Sequence, residues 1–299
     1  MNSLPSTPCY LNGAFTPLCD AKISVMDRGF IFGDGIYEVV PVYNGRPFRF
    51  AQHMARLERS LVEMRMANPH TREQWLGIAM GLIGHGAKAE GVAPDTLNQL
   101  VYIQVTRGVA MRDHVMPTDI EPTVFAMANV MRPPTQEQLE NGVACVTADD
   151  FRWEKAHIKS TSLLGSVFAR QISFDAGAIE TVMFRHGFLS EAAASNVWVV
   201  KDGVVYGTPK DNLVLEGIRY GLIEELCKSL GRAYRLKRLS RDEVRDADEL
   251  LLTSATKEVL AVTTLDGQAV GNPAHKGRPG PVCRELYAAY QATKLVEAA

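Results

Sequence analysis

The sequence predicts an α+β fold in two domains, and three patterns predict it. Alternating apolar runs flank Asn-Gly and Asp-Gly pairs, the signature of strand hairpins. Apolar residues at three- and four-residue spacing mark helices among those strands. The pair Pro133-Pro134, followed by polar TQEQLENG, interrupts the pattern mid-chain and reads as an interdomain linker. A length of 299 residues is more than one core ordinarily fills. The expected division is a smaller α+β domain over residues 1–131 and a larger α/β-like domain over residues 135–299 that carries Lys159.

In the first half, CYLNGAFTPL and EVVPVYNGRPFRF each alternate around an Asn-Gly turn and read as hairpins. From Ala51 onward, Met54, Leu57, Leu61 and Met64 share one helical face. Thr71 with Gln74 forms a capping box that opens a second helix through GIAMGLIGHG. NQLVYIQVTRG and PTVFAMANVM read as buried strands. In the second half, SLLGSVFARQISFDAG has helical spacing and stops at a glycine, a C-cap signal. ETVMFR, the stretch around GFLSEA, and NVWVVKDGVVYGT read as strands, the last folded at Asp-Gly. EGIRYGLIEELCKSLG is an amphipathic helix opening after Gly217 and closing at Gly231. Ser240 with Glu243 repeats the capping box, ELLLTS is a buried strand, and PVCRELYAAYQATKLVE is a terminal helix. His53 and His85 lack metal-ligand spacing and read as helix-surface residues, so no metal site is expected.

Composition narrows the function classes. With 46% hydrophobic and 22% charged residues the chain is ordinary for a globular protein. A net charge of −2 supplies no basic surface for nucleic acid or an anionic membrane. No apolar stretch approaches the roughly 18 to 20 residues that span a bilayer. The start, MNSLPSTPCYLNG, has neither the basic nor the apolar region of a signal peptide. Cys9, Cys19, Cys145, Cys227 and Cys283 are odd in number and scattered, without a CxxC pair. That fits a reducing cytoplasm better than a disulfide framework or a zinc site.

Residues 157–166 read HIKSTSLLGS, with Lys159 between an isoleucine and two hydroxyl residues at the mouth of an apolar run. Partial burial of an ammonium disfavours its charged form, and a lysine amine freed in this way is a nucleophile that forms Schiff bases with carbonyls. A snorkelling lysine with its head in water is the bland alternative, and this segment alone leaves both open.

Six segments together carry a resemblance. DRGFIFGDGIYEV (27–39), HMARLERSL (53–61), IKSTSLLG (158–165), SEAAASNVW (190–198), LEGIR (215–219) and LLTSATKEV (251–259) occur in the order found in the fold-type IV pyridoxal-phosphate aminotransferases. The chain resembles that family from about residue 10 to about residue 267, and within it most of all the D-amino acid aminotransferases. The resemblance implies a fold-type IV α+β architecture, pyridoxal 5′-phosphate as cofactor, and transfer of an amino group from a D-amino acid to a 2-oxo acid such as 2-oxoglutarate or pyruvate. It also makes Lys159 the cofactor lysine and proton carrier.

The other roles follow residue by residue. Glu191 matches the glutamate that pairs with the pyridine nitrogen, where a carboxylate keeps the ring charged and electron-withdrawing. Gly217 and Ile218 lie where a helix opens, and helix N-termini bind phosphate. Arg56, taken to lie on the polar side of its helix, matches the family's phosphate-pairing arginine, while Arg59 reads as a surface charge. The sequence departs from the family at Arg219, where threonine is usual, and at Ala255, where a hydroxyl residue is usual. Backbone amides can bind phosphate without those hydroxyls, and Ser254, Thr256 and Arg219 are candidate substitutes.

Substrate choice rests on GVAMRDHVMP (108–117). Arg112 and His114 are two apart, so in an extended loop they share a side, and a guanidinium fork with a histidine suits a carboxylate. By the resemblance this Arg-x-His, with Tyr37, traps the substrate carboxylate, and the loop reaches a neighbouring subunit's site, which requires a homodimer. Tyr102 and Trp153 are candidates for either pocket or core, and Arg107 reads as a structural strand-end charge. Relatives on the same scaffold, namely branched-chain L-aminotransferases, (R)-amine transaminases and aminodeoxychorismate lyases, would keep Lys159 and Glu191. The Arg-x-His pair favours D-amino acids. A protein that only sequesters the cofactor would need no substrate trap.

Overall fold

In the computed structural model, which describes residues 4–297, the chain forms two compact units. The first takes residues up to Arg132 together with Ile158–Leu163, and the second takes Pro133–His157 with Leu164–Leu295.

The first unit is an antiparallel sheet of β1 (Pro8–Leu11), β2 (Ala14–Pro17), β3 (Gly35–Tyr43), β4 (Arg46–Pro47), β5 (Gln99–Thr106) and β6 (Thr123–Val130) in the order β2-β1-β6-β5-β3-β4. Both Asn-Gly turns form as read. Asn12-Gly13 and Asn44-Gly45 all have positive φ, the geometry of the two-residue hairpin turn. A short helix α1 (Arg28–Phe32) precedes β3, and α2 (Phe50–Glu63) and α3 (Arg72–Ala89) follow β4. Thr71 and Gln74 make the predicted capping box on α3. Met54, Leu57 and Leu61 of α2 pack with Trp75, Leu82 and Ile83 of α3 and with Ile36, Val40 and Ile103 of the sheet in one core. Each such buried aliphatic side chain contributes roughly 1.5–3 kcal/mol.

The buried arc of α2 is wider than its apolar residues predict. His53 and Arg56 are both buried, against the expectation of a surface histidine and an arginine on the polar side. The cause is Glu38 on β3, fully buried, which accepts from His53 Nδ1 at 2.7 Å, Arg56 Nε at 2.7 Å and Arg56 Nη2 at 2.8 Å. An unpaired charge would be too costly there, so the carboxylate draws both partners under the helix.

The second unit is a mixed sheet of β7 (Val143–Asp149), β8 (Glu180–Arg185), β9 (Phe188–Ala192), β10 (Asn196–Lys201), β11 (Val204–Gly207), β12 (Tyr234–Leu236), β13 (Glu249–Ser254) and β14 (Glu258–Leu265), with a two-residue β15 (Gln268–Ala269) on β14. The order is β12-β11-β10-β13-β14-β7-β8-β9, with β7 parallel to both β14 and β8. Its helices are α4 (Gln136–Asn141), α5 (Leu164–Asp175), α6 (Ile218–Ser229), α7 (Arg241–Arg245) and α8 (Pro281–Glu297). The TQEQLENG segment, read as a linker, is instead the helix α4. Thr135 and Gln138 form a capping box that starts it, and Gly142 ends it. Trp153 is 46% exposed, so it is not core.

Lys159, expected in the C-terminal part, lies on a segment that packs with the first unit. The reason is backbone pairing with β3: Tyr37 N donates to Lys159 O at 2.9 Å, Thr161 N donates to Gly35 O at 2.9 Å, and Ile36 bridges Ser160. No helix among the described residues is long and apolar enough to cross a membrane. All five cysteines are free, and no cluster of His, Cys, Asp and Glu among the described residues could hold a metal.

Candidate active site

The two hydroxyls after Lys159 explain the KSTS spelling. Thr161 Oγ1 and Ser162 Oγ each donate to Gly33 O at 3.0 Å, so with the backbone bonds to β3 the lysine's main chain is fixed on both sides. The Lys159 side chain is half-buried, and its Nζ lies 4.0 Å from the centroid of the Tyr37 ring, whose electron-rich face attracts an ammonium. Tyr37 stacks on Tyr102 at 5.7 Å and 29°. Tyr102 donates to Gln104 Oε1 at 2.7 Å, and burial pushes its phenol up to about 12.

Arg112 and His114 sit in the exposed loop after β5. Arg112 Cζ lies 5.4 Å from the centroid of the Phe32 ring, and the His114 ring centroid lies 5.4 Å from it. No hydrogen bond, ion pair or ring contact among the described residues joins either of them to Tyr37. Arg107 is buried and bound to Asp34 at 2.8 and 3.1 Å, the structural role read for it.

In the second unit, Glu191 at the end of β9 is buried and accepts from three residues. Arg152 Nη1 donates at 2.6 Å, Asn196 Nδ2 at 3.1 Å, and Leu215 N at 3.3 Å to each oxygen. Arg152 is itself held by Asp150, through Nε at 3.0 Å and Nη2 at 2.9 Å. Asp150 takes in addition Arg185 Nη2 at 3.2 Å and the Ser190 hydroxyl at 2.8 Å. Burial pushes the Glu191 carboxyl up, and the Arg152 guanidinium does not offset this fully. Glu191 is therefore a buried carboxylate whose charge one further cation facing it would stabilise.

Gly217 is the N-cap of α6, and no side chain caps the helix there. The first amides of a helix have no acceptor within it, which suits an anion. A Cβ at Gly217 would collide with Asn196 Oδ1, so only glycine fits. Asn196 thus joins the Glu191 carboxylate to the start of α6, and in the sheet it pairs in register with Thr253, the residue before Ser254 and Ala255. Ser254 Oγ accepts from Lys257 N at 3.1 Å and shapes that turn, and Lys257 Nζ reaches the buried Glu180 at 3.0 Å. A carboxylate suited to a protonated ring nitrogen and an uncapped helix start suited to a phosphate are joined by one asparagine. A phosphorylated pyridine aldehyde also needs an amine, which Lys159 of the first unit carries, so the chemistry of the donors in each unit suits such a group.

Two of the sequence-assigned side chains have partners within the protein. Arg56 is engaged with Glu38, as described above. Arg219 is buried, donating from Nη2 to the Tyr290 hydroxyl of α8 at 2.9 Å with its guanidinium 5.7 Å from that ring. Sequence reasoning missed Arg152 and Asn196. Asn196 lies inside the SEAAASNVW segment, but Arg152 lies in DDFRWEK, where only its place between an acidic pair and the lysine segment hinted at it.

The acidic network has a consequence at low pH. Burial pushes the Asp150 carboxyl up, but the hydrogen bonds and charge of Arg152, with the Ser190 hydroxyl, outweigh this and hold it down from 3.8 to about 2. A depressed carboxyl contributes stability that is present above its unfolded value and lost as pH falls through its folded value. Thermal midpoints are therefore expected to fall between pH 3.8 and about 2. In Asp150→Asn this part of the decline is expected to be absent. An unchanged acid profile in the variant would remove Asp150 from the account.

Residues 35–265 match the family described as amino-transferase class IV. The chain is 36% identical to a D-alanine aminotransferase of Bacillus licheniformis over 96% of this chain and 97% of that one. It is 35% identical to a D-alanine aminotransferase of Staphylococcus aureus over 94% and 96% of the two chains. Among solved structures, the branched-chain aminotransferase of the archaeon Thermoproteus uzoniensis with norvaline superposes with a TM-score of 0.84 at 21% identity, covering 98% and 96%. The branched-chain amino acid aminotransferase of Escherichia coli superposes with a TM-score of 0.80 at 22% identity, covering 94% and 92%.

Proposed function

This chain belongs to the class IV aminotransferases, a pyridoxal-phosphate-dependent family, and on that premise we propose that it transfers the amino group of a D-amino acid, D-alanine foremost, to a 2-oxo acid such as 2-oxoglutarate in a ping-pong cycle. The observation that carries the D-amino acid reading is the convergence of Arg112 and His114 on the Phe32 ring, two carboxylate-binding groups held together on one loop. The names of the two relatives at 35–36% identity support it.

When bound, pyridoxal phosphate supplies an aldehyde for the amino group and a ring that draws electrons from the substrate α-carbon. In this reading Lys159 would hold the cofactor until substrate arrives, and its Nζ would then carry the proton from the substrate α-carbon to the C4′ carbon of the cofactor, and the opposite way in the second half-reaction. Glu191, fixed by Arg152 and Asn196, keeps a proton on the ring nitrogen. The start of α6 at Gly217, Ile218 and Arg219, the turn at Ser254 and Ala255, and Arg56 make up the proposed phosphate donors. Tyr37, Arg112 and His114 bind the substrate carboxylate, which sets the handedness of the α-carbon. A homodimer, in which this loop serves a neighbouring subunit, and a cytoplasmic location complete the proposal.

The test is the visible absorbance of purified holoenzyme on adding D-alanine and, separately, L-alanine. The expected result is loss of the cofactor's visible band with the D-enantiomer alone. Loss with the L-enantiomer alone would overturn the reading in favour of a branched-chain L-aminotransferase. A band that neither bleaches would point to an (R)-amine transaminase or a lyase.

A further inference from the structure

Three residues of the loop, Arg112, Asp113 and His114, meet a single short helix. The loop begins at Gly108, where φ is +107° and a Cβ would collide with the Glu121 carbonyl at the loop's other end. Its first residues are zipped onto the chain just before α1. Arg28 N donates to Gly108 O at 2.8 Å, Asp27 bridges Val109, and Ala110 N reaches Met26 O at 3.4 Å. Farther out, where the loop is exposed, side chains of α1 hold it. Arg28 Nη1 donates to the Asp113 carbonyl at 2.6 Å, while Arg112 and His114, one residue to either side, rest on the Phe32 ring.

The charge pattern around that ring is unusual. Arg28 Cζ lies 4.8 Å from the Phe32 centroid, so two guanidiniums and an imidazole share one phenyl group. The only carboxylate bonded to these side chains among the described residues is Asp34, which takes Arg28 Nε at 2.7 Å and must also satisfy Arg107. Asp27 and Asp113 lie beside these cations in the chain, but their carboxylates accept from Gly29 N and Val115 N, and neither is bonded to Arg112 or His114. Cations gathered in this way repel one another, and the ring's electron-rich face offsets part of that repulsion. Arg112 has no carboxylate partner among the described residues, so its guanidinium fork is open to an arriving carboxylate.

We propose that Phe32 and Arg28 are positioning residues for the substrate carboxylate. Phe32 is the platform that sets the spacing of Arg112 and His114, and Arg28 pins the loop between them. The inference rests on the carboxylate-trap reading of Arg112 and His114 given above. Neither Phe32 nor Arg28 touches the substrate. They act by cutting the ordering cost the loop would otherwise incur when substrate binds.

Three variants of the holoenzyme test this, assayed for the KM toward D-alanine, the KM toward the acceptor 2-oxoglutarate, and inhibition by propionate, which has a carboxylate and no amine. Phe32→Leu keeps apolar volume and removes the ring. It is expected to raise all three constants by about 10-fold while kcat changes by less than about 3-fold, since a face-on cation–ring contact is of that size. Phe32→Tyr keeps the ring and is expected to return the propionate constant to within about 3-fold of the parent. Arg28→Lys keeps a charge for Asp34 but gives up the fork that reaches Asp113. It is expected to raise the propionate constant several-fold, which keeps the proposal testable if Phe32→Leu folds poorly. Arg112→Gln is the reference. If it leaves propionate inhibition unchanged, the trap reading itself fails. If it weakens inhibition while Phe32→Leu and Arg28→Lys do not, the trap stands and the positioning role is overturned.

Discussion

Replacing Lys159 by alanine is expected to abolish the visible absorbance of the bound cofactor and to lower transamination by about 1,000-fold or more, the scale on which one positioned proton-transfer group acts. The fold is expected to survive, because the segment is held by its main chain and not by the ammonium. Lys159 O accepts from Tyr37 N, Thr161 N donates to Gly35 O, and two hydroxyls close on Gly33 O. The side chain is only half-buried, and its ammonium rests on the Tyr37 ring at 4.0 Å. Alanine removes that contact and leaves the backbone pairing, so the thermal midpoint of the apoprotein should move little. Absorption spectra, turnover and thermal melts on the same preparation separate the two effects. A variant that keeps both the visible band and full turnover would refute the assignment of Lys159. A variant that loses activity by unfolding would show instead that the hydroxyls do not hold the segment as described.

The sequence made legible whatever depends on local pattern. Asn-Gly and Asp-Gly turns, the Thr71 and Ser240 capping boxes and the limits of α6 and α8 are set by neighbours a few residues apart, and all form as read. Membership of the family was legible by resemblance. What local pattern could not reveal depends on pairs distant in the chain. His53 and Arg56 look like the polar face of an amphipathic helix until Glu38 is placed beneath them, 15 and 18 residues away. The Arg219 side chain reads as open to solvent until α8 brings the Tyr290 hydroxyl, 71 residues away, against it. Arg152 acquires its role only because Glu191, 39 residues on, is buried beside it. The α4 helix escaped for a different reason. Its capping box was in plain sequence, but a Pro-Pro pair before polar residues carries the stronger signal of a break.

Arg56→Met is expected to cost about 3–5 kcal/mol of stability, because it leaves the fully buried Glu38 carboxylate without its bidentate partner. Burial pushes the Glu38 carboxyl up, but Arg56, by charge and by hydrogen bond, and then His53 hold it well below the ordinary range, so the ionised form is the native one. His53 alone cannot replace a guanidinium fork, and the remaining charge would either draw in water or take up a proton. Denaturant unfolding of the apoprotein measures the loss. The double variant Glu38→Gln with Arg56→Met removes the stranded charge and should recover part of it, because a buried pair costs most when one partner is left behind. The same pair of variants separates the two roles open to Arg56. If it also pairs with the cofactor phosphate, the double variant regains stability but not cofactor affinity, measured by titrating apoprotein with pyridoxal phosphate. If its work is confined to Glu38, affinity returns with stability. A single variant as stable as the parent would remove Glu38 as the reason this arginine lies under α2.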